Sequence, residues 1–158
     1  SHLDMVRPGI LFYGIYPARG MQTAVEVRPA ATWHSHVNFS KITQPGRPVS
    51  YGSLWQSDVP TRIVTIPCGY ADGYFRRMTN QAQVIVNGRK YRQVGRICMD
   101  QFMVNVGEDQ AEVGDPVILL GAWPGGERIS PEDLADWAGT NEYEVMTNIS
   151  ARVPRVAR

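Results

Sequence analysis

The sequence is poor in cysteine and lysine, and it has no long apolar run. Its two cysteines, Cys68 and Cys98, stand far apart in 158 residues. They form no metal-type or redox-type pair and no disulfide framework, so a reducing cytoplasm is the expected setting. Lys41 and Lys90 are the only lysines beside 14 arginines. Arginine suits bidentate recognition of phosphate and carboxylate, although high-GC codon usage produces the same bias. No apolar stretch approaches the ~18–20 residues of a membrane span. Ile10 to Tyr13 is too short for a signal peptide. The formal net charge of +1 gives no general pull toward nucleic acid or an anionic membrane. Ser1-His2-Leu3-Asp4 has no initiator Met and runs straight into a strand-like segment, as expected of a vector remnant or of a cut inside a longer chain, the cut being the favoured reading.

What is present is strand. The hydrophobic fraction of 43% and charged fraction of 20% exclude a disordered chain and suit one ordinary domain. Ile10-Leu11-Phe12-Tyr13 reads as a short buried run ended by Gly14. Thr32 to Ile42 alternates, with Trp33, Ser35, Val37, Phe39 and Lys41 on one face and His34, His36, Asn38 and Ser40 on the other. Further strands are predicted at 62–66, 84–86, 91–94, 102–106 and 117–120. Asn87-Gly88 joins two of them as a hairpin, because both residues tolerate positive φ. Two helices come late. Ser130-Pro131-Glu132-Asp133 is a start signal, Leu134, Trp137 and Ala138 make the apolar face, and Gly139 is a stop. The second begins after Thr140 and runs to about Ser150, before Pro154. The predicted class is mainly β: a Greek-key-like β-barrel or compact sandwich with short helices near the C-terminus.

Four segments carry chemistry-bearing side chains on sharp turns: Arg7-Pro8-Gly9-Ile10, Val49-Ser50-Tyr51-Gly52, Gly69-Tyr70-Ala71-Asp72-Gly73 with Arg76-Arg77, and Gly95-Arg96-Ile97-Cys98-Met99-Asp100. Any one of them alone reads as an ordinary strand-joining loop. Together with Gln101, Tyr143-Glu144-Val145 and Arg152-Val153-Pro154-Arg155, in this order and spacing, the set resembles the alanine racemase family across nearly the whole chain.

The resemblance implies a C-terminal β domain, residues 19–158, preceded by a remnant of an N-terminal barrel, residues 1–18. Met5 to Ile10 would be that barrel's last strand. It implies pyridoxal 5'-phosphate as cofactor: Arg7 facing the pyridine nitrogen, Gly9 and Ile10 offering backbone N–H groups to the phosphate, and Tyr143 adding its hydroxyl. Tyr51 matches the catalytic tyrosine, which enters the active site of the second subunit of a homodimer and exchanges a proton with L-alanine. Met99 matches the residue whose backbone N–H binds the substrate carboxylate. Tyr70, Arg76, Arg96 and Asp100 match residues lining or bracing the entrance. One departure is that Asn141 stands where relatives often carry an apolar residue. The family's cofactor-bearing lysine belongs to the barrel, which takes ~250 residues and does not fit here. Lys41 and Lys90 read as solvated, and the chain alone is expected to be inactive.

The chemistry is consistent with these roles. Racemisation removes a proton from one face of a flattened carbon and returns one to the other, so it needs two groups on opposite sides. A lysine can serve one face and a tyrosine the other. A free phenol has a pKa of ~10, so a tyrosine base needs nearby positive charge. An always-protonated Arg7 beside the pyridine nitrogen would leave that nitrogen neutral. Rival readings are a dimerisation module pairing through an edge strand at 7–13, a racemase of broader range, or a decarboxylase of the same fold. His34 and His36 have no evident third metal ligand. Cys98 has no histidine placed to activate it and reads as a small buried residue. The four tryptophans read as core or interface.

Overall fold

The computed structural model describes residues 4–18, 20–21 and 25–157. The opening Ser1-His2-Leu3 therefore lies outside the described residues. The strands are β1 (Trp33–His36), β2 (Phe39–Thr43), β3 (Thr61–Ile66), β4 (Gln83–Val86), β5 (Arg89–Val94), β6 (Phe102–Gly107), β7 (Pro116–Ala122) and β8 (Arg128–Ile129). They form one antiparallel sheet in the order β1-β7-β4-β5-β6-β3-β2, with β8 paired to β7. The chain is mainly β, as predicted.

The sheet curls because its two edges are consecutive in sequence. Only Val37 and Asn38 separate β1 from β2, yet those strands lie at opposite ends of the hydrogen-bonded order. The Val37 N–H donates to Asp115 O at 2.9 Å, just before β7, and the Asn38 N–H donates to Thr65 O at 2.8 Å, in β3. Adjacent peptide groups thus tie together the two ends of the sheet. This corner corrects the single strand expected over 32–42. Trp33 and Val37 point inward as read, but the bend turns Phe39 outward, where it is 53% exposed. Lys41 is exposed as well.

The core fills the curl. Val64, Ile66, Val84, Phe102, Val104 and Leu119 are all fully buried, and β6 shows the strict alternation of a half-buried strand. The Asn87-Gly88 turn has φ of 48° and 84°, as a hairpin of this kind requires. Trp33 is buried, whereas Trp55, Trp123 and Trp137 pack at the margins of the core.

Helix α1 (Pro131–Ala138) opens on a capping box between Ser130 and Asp133 and stops at Gly139, φ 64°. Helix α2 (Glu142–Asn148) is capped by Asn141, whose Oδ1 accepts the Glu144 N–H at 2.9 Å. It ends two residues before the expected Ser150. The reason is tertiary: the Ser150 N–H donates to Asp72 O, and Asn148 Nδ2 donates to Gly73 O.

The N-terminal segment differs from expectation. Residues 5–8 form no regular element, and Gly9–Tyr13 is a 3-10 turn in which Ile10 is buried and Phe12 is 79% exposed. No described strand pairs with it. Pro8 supplies no N–H, Gly9 has φ 58° and Gly14 has φ 75°, so the backbone coils where a strand would extend. Among the described residues no strand forms at 5–10, and no edge strand at 7–13; the strands of a barrel with which 5–10 would pair are not part of this chain. The segment is held instead by Ala30, whose N–H donates to Tyr13 O at 2.9 Å.

Two ionisable groups sit deep in the core. Burial raises the Cys68 thiol well above its ordinary value of 9.0, with Asp72 adding to the effect and Arg152 opposing it. Burial likewise raises Tyr74, ordinarily at 10.0, and Cys68 adds to it. Tyr74 stacks on Phe102 with ring centroids 4.6 Å apart. Raised folded-state values mean that both groups contribute stability below their unfolded pKa values and lose it as pH rises. Urea midpoints are therefore expected to fall above about pH 9, at up to ~1.4 kcal/mol per pH unit per group. Tyr74→Phe should flatten that fall beyond about pH 10; an unchanged slope would contradict the assignment.

Candidate active site

The 49–55 loop is built to project one side chain. The Val49 N–H donates to Trp55 O at 2.9 Å and closes it. Ser50 has φ 67° and ψ −179°, Gly52 has φ 76° and Ser53 has φ 50°. The Ser50 conformation is essentially reserved for glycine and costs about 1–3 kcal/mol. Its surroundings hold it there: Ser50 Oγ donates to Arg96 O at 2.7 Å. Gly95, at φ 72°, lets the two chains approach so closely that a Cβ there would lie 2.5 Å from Val49 O. Tyr51, between these left-handed residues, is 74% exposed, and its carbonyl accepts from Arg96 Nε at 3.4 Å.

The opposite wall is a pair of turns joined through their backbones. The Tyr70 N–H donates to Cys98 O and the Ala71 N–H to Met99 O, both at 3.0 Å. Gly69 is required by contact alone, since a Cβ would sit 2.3 Å from both of those carbonyl oxygens. A trans peptide points its N–H away from its own C=O. With Cys98 O held by Tyr70, the Met99 N–H is directed away from the 69–73 turn. Among the described residues it donates to no group.

An open cleft results, lined by Tyr51, Tyr70, Arg76, Arg96, Met99 and Asp100, with Gly52, Ile97, Cys98 and Gln101 between them. All six residues assigned by sequence to catalysis, carboxylate binding or the entrance thus meet in one place. The four assigned to the cofactor do not line it. Arg7 and Gly9 are exposed, Ile10 is buried and Tyr143 lies in the first turn of α2. Tyr13, Ile15 and Met146 line a separate crevice, and Tyr143 stands three residues before Met146 on the same helix face. Cys98 is half-buried and lines the cleft, which corrects its reading as a buried residue. His34 and His36 are exposed, and His34 Nε2 pairs with Thr32 Oγ1 at 2.9 Å.

Sequence reading missed the floor beneath the cleft. Buried Gln93 accepts the Asn80 N–H at 2.7 Å through Oε1 and donates to Val94 O and Gly95 O through Nε2. Asn80 Oδ1 accepts the Gly95 N–H at 2.7 Å, and Thr79 Oγ1 accepts the Ile97 N–H at 3.2 Å. The sequence offered no signal for this: β5 is mostly polar and exposed, with only Gln93 and Val94 buried, and it is the burial that demands such partners. Neither lysine lines the cleft, and Lys90 pairs with Glu127 at 3.2 Å. No described helix is long and apolar enough to cross a membrane.

Residues 30–157 match the alanine racemase C-terminal domain family. The alanine racemase of Carboxydothermus hydrogenoformans is 46% identical over 158 residues, covering 99% of this chain and 43% of that protein. The alanine racemase of Halothermothrix orenii is 45% identical over 154 residues, covering 97% of this chain and 40% of that protein. The chain spans about two fifths of the length of these curated relatives. The crystal structure of alanine racemase from Bacillus anthracis with bound L-Ala-P superposes with a TM-score of 0.88 at 36% identity, covering 94% of this chain and 38% of that one. The enzyme from D-cycloserine-producing Streptomyces lavendulae superposes with a TM-score of 0.88 at 39% identity, covering 94% of this chain and 39% of that one. With the match running through every turn that builds the cleft, this chain belongs to the alanine racemase C-terminal domain family.

Proposed function

We propose that this chain is the C-terminal part of a pyridoxal-phosphate-dependent alanine racemase, in which Tyr51 carries the proton for one face of the substrate. In this reading the whole enzyme interconverts L- and D-alanine in the cytoplasm and supplies D-alanine for bacterial cell-wall synthesis. Residues 1–18 are assigned to the N-terminal barrel and its linker, and residues 19–158 to the β domain. The observation that carries the reading is the presentation of Tyr51: its side chain is exposed, while the preceding Ser50 donates to Arg96 O and its own carbonyl accepts from Arg96 Nε. A side chain held outward on a rigid loop suits insertion into a neighbouring subunit across a two-fold interface. Leu54, 45% exposed on the same loop, adds apolar surface for that contact.

The chain's own residues have distinct tasks. Tyr51 Oη holds or takes a proton at the substrate Cα. The Met99 N–H receives the substrate carboxylate. Arg76 and Arg96 place positive charge along the cleft, which draws in a carboxylate. Arg7, the Gly9 and Ile10 N–H groups and the Tyr143 hydroxyl are a set of donors suited to a phosphate and a ring nitrogen. Gly9 and Ile10 begin a 3-10 turn, where leading N–H groups have no partner within the turn. When bound, pyridoxal phosphate draws electrons from the substrate Cα so that its proton can leave. In this reading the covalent lysine is supplied by the barrel. The experiment is a comparison by circular dichroism of L-alanine racemisation with added cofactor. The intact enzyme should racemise and this chain alone should not. Racemisation by the chain alone would end the reading.

A further inference from the structure

Arg152 belongs to a tail that none of the roles above uses, yet it reaches Asp100 in the wall of the cleft. Its Nε lies 2.8 Å from Asp72 Oδ1, and its Nη2 donates to Asp100 Oδ1 at 2.6 Å. The two carboxylates stand on the two turns whose backbones set the Met99 peptide. Asp72 is the more enclosed, with its side chain 14% exposed, and its second oxygen accepts the Gly69 N–H at 2.8 Å. Hydrogen bonding to Asp100, with the nearby charge of Asp72, raises the Arg152 guanidinium above its ordinary value.

Exposed ion pairs generally contribute little, because two long side chains must be held in one geometry. Here the geometry is already set. The Ser150 N–H donates to Asp72 O at 2.9 Å and the Arg152 N–H to Ser150 Oγ at 3.3 Å. Arg155 folds back to donate to Ile149 O at 2.7 Å. Arg152 is therefore delivered between the carboxylates by a tail that is itself hydrogen-bonded. Without its charge, Asp72 and Asp100 repel each other across the seam that orients Met99.

We infer that Arg152 is a positioning residue for carboxylate binding: by clamping Asp72 to Asp100 it fixes the Cys98–Met99 peptide and aims the Met99 N–H. This rests on the reading that Met99 receives the substrate carboxylate, and the test separates the two. The intact enzyme is labelled with ¹⁵N at methionine, and the Met99 amide is assigned by its loss in Met99→Leu. Acetate is then titrated into the wild type, Arg152→Met, Arg152→Lys and Asp100→Asn.

In the wild type the Met99 amide should shift on adding acetate. In Arg152→Met the midpoint should rise about tenfold, the scale of one lost charge-assisted contact. Arg152→Lys, which keeps the charge but not the fork, should fall between them. Asp100→Asn, a change at an exposed side chain that leaves the Asp72 arm intact, should move the midpoint the same way by less. In the two Arg152 variants KM for L-alanine should rise in parallel while kcat stays within about twofold. A wild-type Met99 amide indifferent to acetate would remove the carboxylate reading itself. A responsive amide with the same midpoint in all variants, or a fall in kcat with KM unchanged, would overturn the role of Arg152 alone. Should Arg152→Met not fold, the Lys and Asn variants decide the matter by the same criterion.

Discussion

In the intact enzyme, Tyr51→Phe is expected to lower kcat for L-alanine by about 10²–10⁴-fold, the range for loss of a positioned proton-transfer group. KM should change little, because the carboxylate contact at Met99 and the cationic wall of Arg76 and Arg96 are untouched. The substitution is clean. Tyr51 is 74% exposed and the ring is retained, so the fold loses only a solvent-facing hydroxyl. The strained Ser50 and the glycine that follows stay in place. Thermal midpoints of the two proteins should agree, which separates lost chemistry from lost structure. Tyr70→Phe is the internal control. Its hydroxyl stands in the same cleft at 40% exposure but on the opposite wall, and it should cost less than about tenfold. Equal effects at the two tyrosines would mean that the cleft needs phenols for shape or polarity and not for proton transfer at residue 51.

Gly95→Ala is expected to destabilise the protein by about 2–5 kcal/mol, from a left-handed backbone that alanine disfavours and from steric overlap. The residue has φ 72°, and its Cβ would lie 2.5 Å from Val49 O and 2.9 Å from the Ser50 Cβ. Those atoms are the base of the Tyr51 loop, so relief of the overlap moves the phenol. Activity should therefore fall even at temperatures where the variant remains folded. Gly107→Ala isolates the contribution of contact: Gly107 has φ 68°, but a Cβ there meets nothing within 4 Å. It should lose only about 1–2 kcal/mol, the backbone penalty alone, with activity intact. Similar urea midpoints for the two variants would show that the close approach of 49–50 to 95 does not hold the loop.

Local physics was readable from sequence wherever the cause was local. The Asn87-Gly88 hairpin and the Ser130 N-cap rest on backbone preferences within four residues, and both are present. The alternation of β6 follows from one buried face. What failed depended on distant partners. The corner at Val37–Asn38 is invisible to periodicity, because two adjacent N–H groups bond to Asp115 and Thr65. The two-residue β8 has too little pattern of its own. The apolar run at 10–13 looks like a strand but has no neighbour to pair with, and its flanking glycines coil it.

The site divides in the same way. Tyr51, Tyr70, Arg76, Arg96, Met99 and Asp100 are legible only because their turns together resemble the alanine racemase family, no single turn assigning a role, and the fold gathers them. Gln93, Asn80 and Arg152 carry no assigned role because what each does depends on tertiary burial or on a partner outside its own strand or turn. Arg152, for example, meets Asp72 and Asp100.

The central claim is that Tyr51 serves a site on the neighbouring subunit. It is tested most directly by mixing two inactive enzymes: Tyr51→Phe, and a variant lacking the barrel's cofactor-bearing lysine. If the tyrosine crosses the interface, a mixed dimer has one site with both groups and one with neither. Equal mixing and subunit exchange should then restore about one quarter of wild-type activity. If Tyr51 serves its own subunit, no site in any dimer holds both groups. A mixture that exchanges subunits and stays inactive would contradict the account.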